Sequence, residues 1–256
     1  MVSVSRNYYY TNHENMASRL QCRRSVVSGP SRAWELTLHD NGFKRVAGVD
    51  EVGRGPLAGP VVVAAVLLPR DFVAFPTDVP IHDSKRLTPR RLVRAYTAIM
   101  NTPGVEVAWA VGDPRRIDAT DILATTFECM VASVRALPGG TPDAVLVDGN
   151  MVPPGMPGYT EAVVKGDSSV LAIACASIVA KVRRDRLMCQ YHHTWPVYGF
   201  DRHKGYGTRQ HMAALTSHGP CPIHRRSFNP LRSMLTVQGA QPPPHHHTQT
   251  RRCVRS

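Results

Sequence analysis

Carboxylates at the ends of short apolar runs are the first residues in this chain with chemistry to offer. Asp50 closes the run 45–50 (RVAGVD) with Glu51 directly behind it, Asp148 closes 144–148 (AVLVD), and Asp167 follows the run 161–165. Neighbouring strands bring their ends together, so these four side chains can converge. Unpaired carboxylates crowded at one point repel, and a hard divalent cation bound through oxygen relieves that repulsion. Mg²⁺ or Mn²⁺ suits such a set better than zinc, because no Cys/His group has ligand spacing. Simple alternatives stand beside this reading. Asp167, followed by Ser168 and Ser169, can be a helix N-cap, and Asp148-Gly149-Asn150 can be a turn.

Gly53-Arg54-Gly55 follows the first acids. Two glycines around an arginine let backbone amides approach a ligand while the guanidinium grips phosphate, although a tight turn would use the same residues. Asp83-Ser84-Lys85 opens a helical pattern, where Ser84 and the Lys85 ammonium can meet a phosphate or where the motif simply caps the helix. The chain carries a formal charge of +12 from 31 Lys and Arg against 19 Asp and Glu. Much of that field lies between 181 and 232, where Lys181, Arg183, Arg184, Arg186, Arg202, Lys204, Arg209, Arg225, Arg226 and Arg232 face only Asp185 and Asp201. Tyr191, Trp195, Tyr198, Phe200, Tyr206 and Phe228 are interleaved with them, a pattern suited to phosphate contacts beside base or sugar stacking. Most of these rings are expected in the core, with one or two on substrate. Lys181 is taken as a substrate contact and Asp185, among arginines, as structural.

The elements that must position these groups read as mixed α/β. Runs 45–50, 60–68 and 105–112 form three early strands, an antiparallel meander, with a helical pattern at 89–100 before the third. A longer helix is expected over 114–137, then strands at 144–148 and 161–165 and a helix from about 168 to 192. No run approaches the roughly 18–20 apolar residues of a membrane span, so no membrane partner is expected. The catalytic body is expected at 33–235, between a disordered extension at 1–32 and a disordered His/Pro/Arg tail at 236–256. Six scattered cysteines without a C-x-x-C pair point to an intracellular, reduced protein. The first 34 residues, with five arginines and one acid, have the composition of an organellar transit peptide or of a plain disordered tail.

The motif series as a whole resembles ribonuclease HII. DEVGRGPLAGPV from Asp50, DSKRL from Asp83, VDGN from Val147, VKGD from Val164, ASIVAKVRRD from Ala176, GFDRHKGYGT from Gly199 and HRRSF from His224 follow the family order over about 44–230. The resemblance implies a ribonuclease H-like fold and two divalent ions, Mn²⁺ or Mg²⁺, on Asp50, Glu51, Asp148 and Asp167. It also implies that Gly53, Arg54 and Gly55 read a ribose 2′-hydroxyl, with Tyr206 packing under the next sugar. The expected substrates are RNA–DNA hybrid and duplex DNA carrying ribonucleotides, cut by a monomer to 5′-phosphate and 3′-hydroxyl ends. The compartment is cytoplasmic in a bacterial cell, with organellar targeting by the extension as the other possibility. A silent nucleic-acid binder would lack part of the acid set, and a DNA-specific metal nuclease is the nearer alternative.

Overall fold

The computed structural model describes residues 29–237. The transit-like stretch up to residue 28 and the tail from 238, with His245, His246 and His247, lie outside the described residues. β1 (Val46–Val52), β2 (Val61–Leu67) and β3 (Glu106–Gly112) form the expected antiparallel meander, and β4 (Ala144–Asp148) and β5 (Tyr159–Val163) extend it in parallel. The order is β3-β2-β1-β4-β5, so β1 is central. All seven residues of β2 are buried, as an uninterrupted VVVAAVL run covered on both faces requires.

Helices cover the two faces. α1 (Ala33–Asp40) packs beside β1 and β4, α2 (Pro89–Asn101) lies on the face of the long helix α5, and α3 (Pro114–Ala119) and α4 (Ile122–Arg135) lie on the other side. The single helix expected over 114–137 is two helices. Thr120 leaves helical geometry at φ −121° and ψ −103°, and the Asp121 carboxylate caps a fresh start through the amides of Leu123 and Ala124. An apolar 3.6-residue pattern runs across both segments, so periodicity hides the break. α5 (Leu171–Thr194) starts later than expected, after a 3-10 turn at Gly166–Ser168. Asp167 is not its cap: α5 has no local side-chain cap, and the buried Glu35 of α1 accepts the Ala172 amide instead at 2.9 Å. Burial pushes the Glu35 carboxyl up to about 7. Residues 31 and 32, outside the expected body, are tied to it through the Ser31 pairing with Val170 and the Arg32 bonds to the carbonyls of Pro69, Arg70 and Phe72.

The C-terminal part comprises α6 (Phe200–His203), α7 (Arg209–His218) and α8 (Leu231–Val237) around Tyr198, Phe200, Leu215 and Ile223. Three of its histidines are structural, and their tautomers follow from their partners. The Tyr206 carbonyl can only accept, so His211 Nδ1, 2.9 Å away, carries the proton. His211 Nε2 then accepts from His224 Nε2 at 3.0 Å, and His224 Nδ1 accepts the Cys221 amide at 2.9 Å. His203 Nδ1 accepts the Gly205 amide while its Nε2 donates to the Tyr198 carbonyl. Burial pushes His211 down to about 4 and His224 down to about 3, so both rings stay neutral in the fold. The unfolded chain takes up these protons near pH 6.5; their contribution to stability is therefore whole above that pH and is lost as pH falls toward 4. Imidazole NMR resonances of both rings should show the neutral form from pH 8 to about 5. A titration midpoint near 6.5 for either ring would break this assignment.

Candidate active site

The parallel pairing of β1, β4 and β5 places their C-terminal ends side by side, and the acids converge there. Ligand-capable oxygens of Asp50, Asp148 and Asp167 all lie within 4.8 Å of one another. Glu51 is one residue further along the strand, where side chains alternate between faces. It stands beside this trio rather than within it, 3.5 Å from Arg54. Gly48, two residues before Asp50, allows this: a Cβ there would overlap the backbone of Ala172 and Ile173, so only glycine lets the start of α5 press onto β1.

Burial, then the charges of Glu51 and Asp148, push the Asp50 carboxyl well above the usual range, against the Ser177 hydroxyl and the Glu51 amide that hold it down. Burial also raises Glu51, with Arg54 opposing, and burial and the Asp167 charge raise Asp148. The only ammonium paired with the trio among the described residues is Lys85, 3.7 Å from Asp167 on a largely exposed stem. Burial works against the Lys85 charge, but Asp167, Asp83, Asp50 and Asp148 together raise its pKa. Three oxygens this close with so little counter-charge fit a hard divalent cation. Asp148 does not close a local turn with Asn150; its carboxylate reaches across to the Gly166 amide at 2.7 Å.

The other expected site residues fall in three places. Ser84 is buried at the edge of the groove that Lys85 lines and shares a 2.9 Å hydrogen bond with Ser177, so it supports Asp50 through that hydroxyl. Lys181 pairs with Asp185 at 2.8 Å and, with Lys85, lines a groove of about 800 Å³ between α2, α5 and residues 202–204. Gly53, Arg54 and Gly55 form the turn after β1, facing Tyr206, which is 47% exposed; a methyl built on Gly55 would lie 3.7 Å from that ring. The remaining aromatics are core or half-buried, with Tyr198 and Phe200 stacked at 5.2 Å.

Residues 47–231 match the family model described as Ribonuclease HII. The chain belongs to the ribonuclease HII family. It is 44% identical over 205 residues to a ribonuclease HII of Chlamydia pneumoniae, covering 80% of this chain and 92% of that one. A ribonuclease HII of Rhizobium meliloti is 47% identical with the same coverage. Among solved structures, ribonuclease H2 from Pyrococcus horikoshii OT3 superposes with a TM-score of 0.64 at 25% identity, over 74% of this chain and 96% of that one. The ribonuclease H-like fold expected from the motifs is thus the fold observed.

Two arginines of the basic stretch have a place other than phosphate contact in this ribonuclease HII chain. Arg184 and Arg225 are fully buried, and among the described residues neither forms a direct ion pair with a carboxylate, although Asp185 and Asp118 lie near enough to favour their charges. Arg184 donates to the carbonyls of Pro60, Lys204 and Ala58, and Arg225 to those of Gly59, Arg54 and Gly53, at 2.5–3.2 Å. Burial pushes both guanidinium groups down in pKa, for Arg225 with the Arg184 charge adding to it. Three charge-assisted bonds at roughly 1.5–3 kcal/mol each offset a desolvation cost of several kcal/mol per ion, so the charges persist. Gly53, at φ +96°, is the complement: a Cβ would overlap the Arg184 side chain. Arg183 is likewise not a free phosphate contact, since its guanidinium stacks on Trp109 at 3.6 Å.

Proposed function

We propose that the chain hydrolyses the RNA strand of RNA–DNA hybrids and cuts at single ribonucleotides embedded in duplex DNA, leaving 5′-phosphate and 3′-hydroxyl ends. The observation that carries this reading is the aspartate trio lying at the same strand end as a Gly-Arg-Gly turn faced by an exposed tyrosine. Asp50, Asp148 and Asp167, with Glu51 beside them, would hold two divalent ions, Mg²⁺ or Mn²⁺. Such ions supply positive charge to the scissile phosphate and its leaving oxygen and lower the pKa of the attacking water.

The chain's own residues do the rest. Ser177 and the Glu51 amide orient Asp50, while the Gly166 amide orients Asp148. Lys85 brings a cation to the edge of the trio, and Lys181 continues that charge along the groove. Gly53, Arg54 and Gly55 would meet the 2′-hydroxyl, the one group by which a protein tells RNA from DNA at a given position, and Tyr206 would pack on the adjoining sugar. His211 and His224 are committed to the fold and serve no proton transfer.

The catalytic domain is read as the expected 33–235 body together with Ser31 and Arg32, acting as a monomer. No described helix is long and apolar enough to cross a membrane. Free thiols at Cys129, Cys175, Cys189 and Cys221 support a reducing, intracellular setting. The test is a DNA duplex with one ribonucleotide, incubated with Mg²⁺, Mn²⁺ or EDTA. Cleavage with either metal, none with EDTA and none on the all-DNA duplex is expected. Cleavage in EDTA, or of DNA alone, would overturn the reading.

A further inference from the structure

We propose that Arg225 and Arg184 are positioning residues for ribonucleotide recognition, acting as a clasp that sets the orientation of the Gly53-Arg54-Gly55 peptide planes. The inference rests on the reading above that this turn meets the 2′-hydroxyl. In a planar trans peptide, a carbonyl and the following amide point in opposite directions. Arg225 draws the Gly53 and Arg54 carbonyls inward, at 2.5 and 2.8 Å. The amides of Arg54 and Gly55 are thereby turned outward, and among the described residues neither has a hydrogen-bond partner. Two adjacent donors without partners among the described residues, beside the exposed Tyr206 ring and three and four residues after Glu51, form a recognition point for a hydroxyl oxygen.

The same clasp fixes the other wall. Arg184 holds the Lys204 carbonyl at 3.0 Å and the Ala58 and Pro60 carbonyls at 3.2 and 2.9 Å, joining the segment before Tyr206 to the far end of the turn. Backbone bonds from Leu57 to Gly205, from Gly59 to Ile223 and from Arg225 to Leu57 run alongside. Amides and ring are therefore set by one pair of guanidinium groups, sandwiched between the turn, α5 and the 221–228 segment, with the Phe228 ring 5.0 Å from Arg225. A lysine has the charge but not the planar fork, and cannot hold three carbonyls in one plane.

The experiment compares full-length wild type with Arg225→Lys, Arg184→Lys and the milder Phe228→Leu. The readout is kcat/KM on duplex DNA with one ribonucleotide and on an RNA–DNA hybrid, with the folded fraction measured by circular dichroism. Arg225→Lys should lose on the order of a hundredfold on the single ribonucleotide and about tenfold on the hybrid, since displacing a contact by about 1 Å costs that much. Arg184→Lys should follow the same pattern, and Phe228→Leu should shift the ratio in the same direction by a smaller factor, which keeps the test decisive if a lysine variant does not fold. Equal losses on both substrates, or losses that vanish once corrected for folded fraction, would make the clasp merely structural and overturn the proposal. Tyr206→Ala serves as the reference. If Tyr206→Ala is selective and the clasp variants are not, only the clasp falls; if Tyr206→Ala is not selective either, the recognition reading falls and the clasp with it.

Discussion

Asp50→Asn and Asp148→Asn should each leave less than about a tenth of wild-type turnover on a hybrid, because losing a metal ligand removes several kcal/mol of transition-state stabilisation. Binding of the hybrid should change little, since affinity comes mainly from phosphate contacts. The two variants should also fold. Asp50 is 5% exposed, and its pKa is raised by burial and by neighbouring acids. A carboxyl whose folded pKa lies above its unfolded one weakens the fold at any pH above the unfolded value, because the unfolded chain ionises more readily; asparagine removes that penalty. In EDTA, Asp50→Asn should therefore melt no lower than wild type, and the natural residue trades stability for chemistry. Turnover above a tenth of wild type would remove that residue from the metal site, and a large fall in melting temperature would mark Asp50 as a structural acid.

Tyr206→Ala should lose on the order of tenfold to a hundredfold in kcat/KM at a lone ribonucleotide, as stacking contributes roughly 1–3 kcal/mol per contact. The hybrid should suffer less, because several registers can be cut and no single junction has to be found. The ring is exposed, but its backbone is anchored: its carbonyl accepts from His211 and its amide donates to His203. Removing the ring therefore leaves that anchor in place, and the melting temperature should stay within a few degrees. Both substrates are to be measured at fixed salt, because phosphate contacts are salt-sensitive. Equal losses on the two would reduce Tyr206 to a general contact.

Much of the site was legible because its signals are local. A carboxylate at or just past the end of an apolar run marks a strand end, which brought Asp50, Asp148 and Asp167 to one place, and a tyrosine between glycines and cations proved exposed. Glu51 was harder to place, because its position depends on the alternation of faces at the end of β1. What stayed hidden depends on partners far away in the chain. Glu35 caps a helix 137 residues later, and Ser84 is tied to Ser177 across 93. Arg184 and Arg225 carry no mark to separate them from the solvated arginines beside them, because the carbonyls that hold them belong to the backbone, which has no letter in a sequence. The break at Thr120 was masked by an apolar pattern that continues through it.

The clasp also orders events during synthesis. Every acid of the trio has left the ribosome's catalytic centre by residue 167, and Arg184 follows soon after, yet the Gly53-Arg54-Gly55 turn waits for Arg225, 172 residues after Gly53. A nascent chain thus carries its full set of acids before the turn proposed to read the ribose is held in its final shape.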